Sequence, residues 1–177
     1  INDFFNSLID LFRSDHETNA YNLIGLFGEL YLIRNLYISH GINLSFYWHS
    51  VNSNDKHDIT LNGLSIEVKT TIKPEMVFLL KHDQIFTSIK VIVALLRIYE
   101  LPNGICINDL LKYYRDEIEF SNNLDFQIAL TAELMRIKNK SDLNKKFGVT
   151  DINYYLSNDL TRIENIPINI TKLSYHY

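Results

Sequence analysis

The chain has 177 residues, 46% of them hydrophobic and 21% charged, which suits one globular domain, residues 1–177, with a buried core. Its formal net charge of −4 argues against a broad, non-specific nucleic-acid surface, which is normally basic, and leaves room only for a local basic track. Cys106 is the one cysteine, so an internal disulfide framework is excluded and a reducing cytoplasm is the expected compartment.

No apolar run approaches the roughly 20 residues that span a bilayer, so no membrane partner is expected. The longest run, "VIVALL" at Val91–Leu96, has the length of a buried strand. No signal-peptide pattern opens the chain, and Ile1 in place of Met makes a piece of a longer protein the expectation.

Ile1–Phe12 carries Phe4, Phe5, Leu8, Ile9, Leu11 and Phe12 at helical spacing. From Thr18 to about Ile38 the stripe strengthens, through Tyr21, Ile24, Leu26, Phe27, Leu30, Tyr31, Ile33 and Leu36, and predicts a long, mostly buried helix. Gly41 is its stop signal. Leu44–Trp48, short and aromatic, predicts a strand. Asp58–Leu61 and Leu64–Thr71 follow as strands split by Asn62-Gly63, then Met76–Leu80 and Lys90–Ile98. Lys81–Ser88 between the last two reads as a short helix or helical turn. Asn108–Glu117, with Asn108 as N-cap, and Asp125–Lys138 are further helices. Asn153–Leu156, Thr161–Ile163 and Leu173–Tyr177 return to β character. This order predicts a mixed α/β domain whose central sheet is covered by helices.

The stretch "HDITLNGLSIEVKTT", His57–Thr71, concentrates the chemistry. Asn-Gly between two alternating runs is the strongest short hairpin signal, because a type I′ turn needs positive φ at its centre. A two-residue loop sets Leu61 opposite Leu64, Thr60 opposite Ser65, Ile59 opposite Ile66 and Asp58 opposite Glu67. One face then carries Ile59, Leu61, Leu64, Ile66 and Val68, and belongs on a core. The other carries Asp58, Thr60, Ser65, Glu67 and Lys69. Two directly opposed carboxylates, with Cβ atoms about 4.5–5.5 Å apart, repel. A divalent cation offsets that repulsion, since Mg²⁺ takes hard oxygen ligands from one or two carboxylates. Lys69, two residues past Glu67, shares the face and is placed to hold a water or balance phosphate charge. The plainer reading is a solvated polar face on which Lys69 softens the repulsion, and the residues alone leave the two at even weight.

Asp58 followed on the next strand by Glu67-Val68-Lys69 resembles the core motif of the PD-(D/E)XK nucleases, the restriction-endonuclease-like superfamily. His57 stands where the usual Pro precedes the Asp. "GLFGELYLIRNL" (Gly25–Leu36), "EVKTT" (Glu67–Thr71), "KHDQI" (Lys81–Ile85) and the ending "RIENIPINITKLSYHY" (Arg162–Tyr177) are similar, in order and spacing, to the branch found beside bacterial restriction-modification and phage-defence genes. The resemblance implies a restriction-endonuclease-like central mixed β-sheet flanked by helices. It implies Asp58 and Glu67 as metal-binding carboxylates, the Val68 carbonyl as a further ligand and Lys69 as the catalytic lysine. Glu29 corresponds to an acidic residue near the metal, and Gln84 to a polar residue on the helix after the core strands. Solvated surface roles are the alternatives for both, although Glu29 stands in an apolar turn where a lone carboxylate needs a partner.

The remaining candidates are weaker. His16, His40, His49, His57, His82 and His176 form no H-x-x-x-H pair, and one cysteine cannot build a structural zinc site. His57 reads as structural, on the face opposite Asp58, and Tyr47 and Trp48 as core rather than a base-stacking platform. Arg136, Lys138, Lys140, Lys145 and Lys146 form the one basic cluster, a solvated helix end or a phosphate track. The expected activity is a Mg²⁺-dependent endonuclease, Mn²⁺ substituting, that cuts DNA in restriction or phage defence. It would act as a homodimer or with other subunits of such a system. A catalytically inactive nuclease-fold module for DNA or partner binding is the alternative, and an RNA-directed nuclease a third.

Overall fold

A computed structural model of the chain describes residues 16–48, 57–75, 77–80, 82–85, 87–160 and 173–176. The helix expected over Ile1–Phe12 and the strand over Thr161–Ile163 lie outside the described residues. Helix α1, His16–His40, packs Leu23, Leu26, Phe27, Leu30, Leu32 and Ile33 into the core, so it is buried around most of its girth there. Gly41 ends it as expected. Its φ is 69° and its N–H donates to the Tyr37 carbonyl at 2.8 Å, a left-handed cap that glycine adopts without steric cost.

The predicted strand over Leu44–Trp48 is instead a 3₁₀ turn, Ser45–Tyr47, with only Trp48 bridging to Ile59. The Asn43 side-chain oxygen accepts from the Ser45 N–H at 3.0 Å and from its hydroxyl at 2.7 Å, a local bond that competes with strand pairing.

Strands β1 (Ile59–Leu61) and β2 (Leu64–Thr71) form the expected hairpin in the expected register, with Gly63 at φ 79°. After β3 (Val77–Leu80) and the single-turn helix α2 (His82–Ile85), β4 (Lys90–Ile105) returns parallel to β2. Helices α3 (Ile107–Asp116), α4 (Ile118–Ser121) and α5 (Leu124–Arg136) follow, then β5 (Phe147–Leu156) and β6 (Leu173–His176). The main sheet runs β1-β2-β4-β5, with β1–β2 and β4–β5 antiparallel and β2–β4 parallel, while β3 and β6 pair separately. This is the mixed α/β sheet flanked by helices that the sequence predicts.

Several boundaries differ, among them that of β5, which begins at Phe147 rather than Asn153. Strand β4 passes the expected end at Ile98 by absorbing register shifts after Arg97 and after Glu100. Helix α3 is capped at Cys106, not Asn108: the Asp109 carboxylate accepts the Cys106 N–H at 2.9 Å. Helix α4, not anticipated, fills the corner before Asn123, whose side chain caps α5 by accepting from the Phe126 N–H.

Strand β4 explains the two-layered core. Ala94, Leu96 and Ile98 join the larger cluster under α1, α3 and α5, while Val93 and Leu95 join Phe78, Leu80, Ile85 and Leu160 on the opposite face. A central strand apolar on both faces reads as the continuous run "VIVALL", and burying each of its Val, Leu or Ile side chains stabilises by roughly 1.5–3 kcal/mol. The hairpin's second face is therefore not solvated: Ser65 and Glu67 are 0% and 1% exposed.

Candidate active site

The site lies at the start of β1, where β2 continues past it. Glu67 points from the face of β2 opposite the large core, and α2 reaches it there. Its Oε1 accepts from the Lys69 ammonium, as an ion pair, and from the Gln84 side-chain amide at 3.0 Å. Its Oε2 is buried and has no hydrogen-bond partner among the described residues.

Asp58 departs from the cross-strand pairing that the register predicts. The ladder stops at Ile59–Ile66, Asp58 sits in a bend, and its Oδ2 accepts the Val68 N–H at 2.7 Å. Side chain thus replaces the missing ladder partner, as a buried backbone donor demands. In an extended residue the N–H and C=O lie on one strand edge, so the Val68 carbonyl faces the same gap.

Glu29 enters from the other side of the sheet. Helix α1 crosses β2 so closely that a Cβ on Gly28 would lie 1.8 Å from the Thr70 hydroxyl oxygen. Only glycine allows that approach, and it brings the next residue, Glu29, to the sheet edge. The indole N–H of Trp48 donates to Glu29 Oε2 at 2.8 Å. Trp48 is buried against Phe126, as the core reading expects, and also partners a carboxylate, which that reading missed. A buried indole always carries one donor that needs an acceptor, and this was the available signal.

The electrostatics follow from three carboxylates about one ammonium. Burial pushes the Asp58 carboxyl well above the usual carboxylate range, and the charges of Glu29 and then Glu67 raise it further; the Val68 amide and Lys69 only partly oppose them. His57 is buried, but its ring lies on the α2 side with Gln84 rather than on the opposite face that strand alternation assigns it, and Nε2 donates to the Gln84 carbonyl at 2.6 Å. Glu67, Lys69 and Gln84 are thus joined by direct bonds, Asp58 is held on the Val68 amide and feels the charges of Glu29 and Glu67, and Glu29 approaches from the α1 side.

Three of the five residues in the basic cluster have local partners. Arg136 pairs with Glu133, Lys145 with Asp142 at 3.1 Å, and the Lys140 ammonium donates to the Leu134 carbonyl. Among the described residues no helix is long and apolar enough to cross a membrane, and no three His, Cys, Asp or Glu side chains form a ready metal cage.

Over residues 1–177 the chain matches the family described as "Putative PD-(D/E)XK family member, (DUF4420)". The chain belongs to that family. The mixed four-stranded sheet with flanking helices is accordingly a restriction-endonuclease-like α/β fold. No curated protein and no solved structure matches the chain.

Proposed function

We propose that this PD-(D/E)XK chain is a Mg²⁺-dependent endonuclease, with Mn²⁺ as a substitute, that hydrolyses DNA phosphodiesters in bacterial restriction or phage defence. It would work in the cytoplasm, as a homodimer or with further subunits. The observation that carries this reading is the convergence of Asp58, Glu67 and Lys69 on the hairpin, with a buried Glu67 oxygen left without a hydrogen-bond partner among the described residues. A buried carboxylate oxygen is costly unless something positive or a donor meets it. Asp58 and Glu67, with the Val68 carbonyl between them, fit a hard divalent cation that keeps several waters, so a complete protein cage is not required.

The bound cation would polarise the phosphoryl oxygen and lower the pKa of a coordinated water. Lys69, held against Glu67, directs a hydrogen bond and a positive charge at the phosphate oxygen where negative charge develops. Gln84 fixes the Glu67 carboxylate by its side-chain amide. Glu29, oriented by Trp48, supplies a further acceptor for a water in the same shell. The test is cleavage of plasmid and phage DNA with Mg²⁺ or Mn²⁺, beside Lys69→Ala and Asp58→Ala. Cutting by the wild type alone is expected, and equal cutting by the variants overturns the site.

The net charge of −4 and the locally paired cations favour one second reading, a nuclease-fold module that binds DNA or a partner without cutting. Calorimetric titration with Mg²⁺ and Mn²⁺ separates them, because a wild-type protein blind to both metals supports the module. Parallel assays on RNA and DNA decide the nucleic acid.

A further inference from the structure

We propose that His57 is a positioning residue: its imidazole tethers α2 so that Gln84 holds the Glu67 carboxylate in its working orientation. The inference rests on the nuclease reading and adds a residue to it.

Helix α2 has four residues, His82–Ile85, and so has little hydrogen bonding of its own to fix it in place. Two attachments among the described residues help to do so. Ile85, 1% exposed, anchors one side in the smaller core. His57, 7% exposed, anchors the other, its Nε2 2.6 Å from the Gln84 carbonyl oxygen. A carbonyl only accepts, so Nε2 carries the proton, and the bond selects one tautomer. Gln84 is then held at both ends, by its backbone through His57 and by its side-chain amide on Glu67 Oε1 at 3.0 Å.

The consequence is geometric. Glu67 Oε1 is shared between Gln84 and Lys69, so a shift of α2 changes the angle at which the carboxylate presents Oε2. His57 is also the chain neighbour of Asp58. One dipeptide therefore supplies a carboxylate and the clamp on the residue that orients the second carboxylate. Proline, usual at this position in the motif the chain resembles, has no side-chain donor and cannot make this bond.

The test compares His57→Ala, His57→Gln and Gln84→Ala with the double variant His57→Ala/Gln84→Ala. Outer groups that orient ligands typically cost about 10–100-fold when lost. His57→Ala is expected to lower kcat roughly tenfold with KM for DNA little changed. His57→Gln, which keeps an N–H donor at similar reach, should recover most of it. In the Gln84→Ala background the same His57→Ala change should cost almost nothing further. A full additional loss in the double variant, or no recovery by His57→Gln in a folded protein, overturns the proposal.

A second readout needs no cleavage. In ¹⁵N spectra the Gln84 side-chain amide protons should exchange slowly in the wild type and in His57→Gln, and fast in His57→Ala at unchanged global stability. Uniformly fast exchange in the wild type sinks the tether. If wild-type protein does not cut DNA, the nuclease reading fails and this amide signal still decides the tether.

Discussion

Asp58 shares its surroundings with two other carboxylates, Glu29 and Glu67. Its folded carboxyl is held above the ordinary value by burial and by Glu29 and Glu67, so the folded state holds a proton that the unfolded chain has already released. The sign follows: the contribution of Asp58 to the stability of the metal-free protein is fully present below the usual Asp value and is lost as pH rises through the window up to the raised folded value. Asn in this place still accepts the Val68 N–H and carries no charge. Asp58→Asn is therefore expected to raise the metal-free Tm at neutral pH, to flatten its fall with pH and to abolish cleavage. Thermal melts across pH with chelator present check this, and an unchanged or lower Tm contradicts it. Lys69→Ala removes the ammonium paired to Glu67, and a loss of roughly 100-fold or more in cleavage rate is expected from deleting such a charge-stabilising donor. Asp109 behaves in the opposite sense. Its carboxyl is lowered by the Cys106 amide that it accepts, so its contribution is present above the ordinary Asp value and fades as pH falls through the folded one. Asp109→Asn should weaken α3 at neutral pH and erase that acid-side loss, as denaturant titrations would show.

Among elements, the crossing of α1 over β2 decides where Glu29 stands. A methyl on Gly28 meets Thr70 Oγ1 at 1.8 Å and its Cβ at 3.0 Å. Gly28→Ala should destabilise by roughly 1–3 kcal/mol through overpacking, despite the better helix propensity of Ala. Thr70→Ala removes the nearest atom, so the double variant should recover much of the loss, with a coupling energy outside the additive range. Additive losses would mean that the two elements do not touch as closely. The same elements show where local reading succeeds. The hairpin was legible because its signal, Asn62-Gly63 between alternating runs, is contained within the hairpin itself, and β1–β2 pair in that register. Helix α1 was legible from its periodicity and from Gly41. Leu44–Trp48 misled because strand propensity said nothing of the Asn43 side chain that bonds Ser45. The cap of α3 misled because Cys106 is a poor cap by type, and Asp109 compensates from three residues on.

For the whole molecule, the charges of Glu29 and Glu67 beside Asp58 make metal dependence the test of the proposed function. Under the proposed function, Mg²⁺ or Mn²⁺ binds the folded chain and not the unfolded one. Stabilisation is then about 2.7 kcal/mol at a metal concentration 100 times Kd. The wild-type Tm should rise with Mn²⁺ and return with chelator, while Glu67→Gln and Asp58→Asn should show little of that rise. A metal-independent Tm in the wild type counts against the site as a whole.

Composition, the turn dipeptide and apolar spacing by themselves determined the α/β class, the long first helix and the hairpin register, because each is written over a short span of chain. Tertiary structure alone decided that the hairpin's polar face is buried, that Asp58 turns to the Val68 amide, and that Trp48 and His57 hold Glu29 and Gln84. Those contacts join residues from 10 to 27 positions apart, and the β-hairpin's own alternation carries no record of which layer comes to cover it.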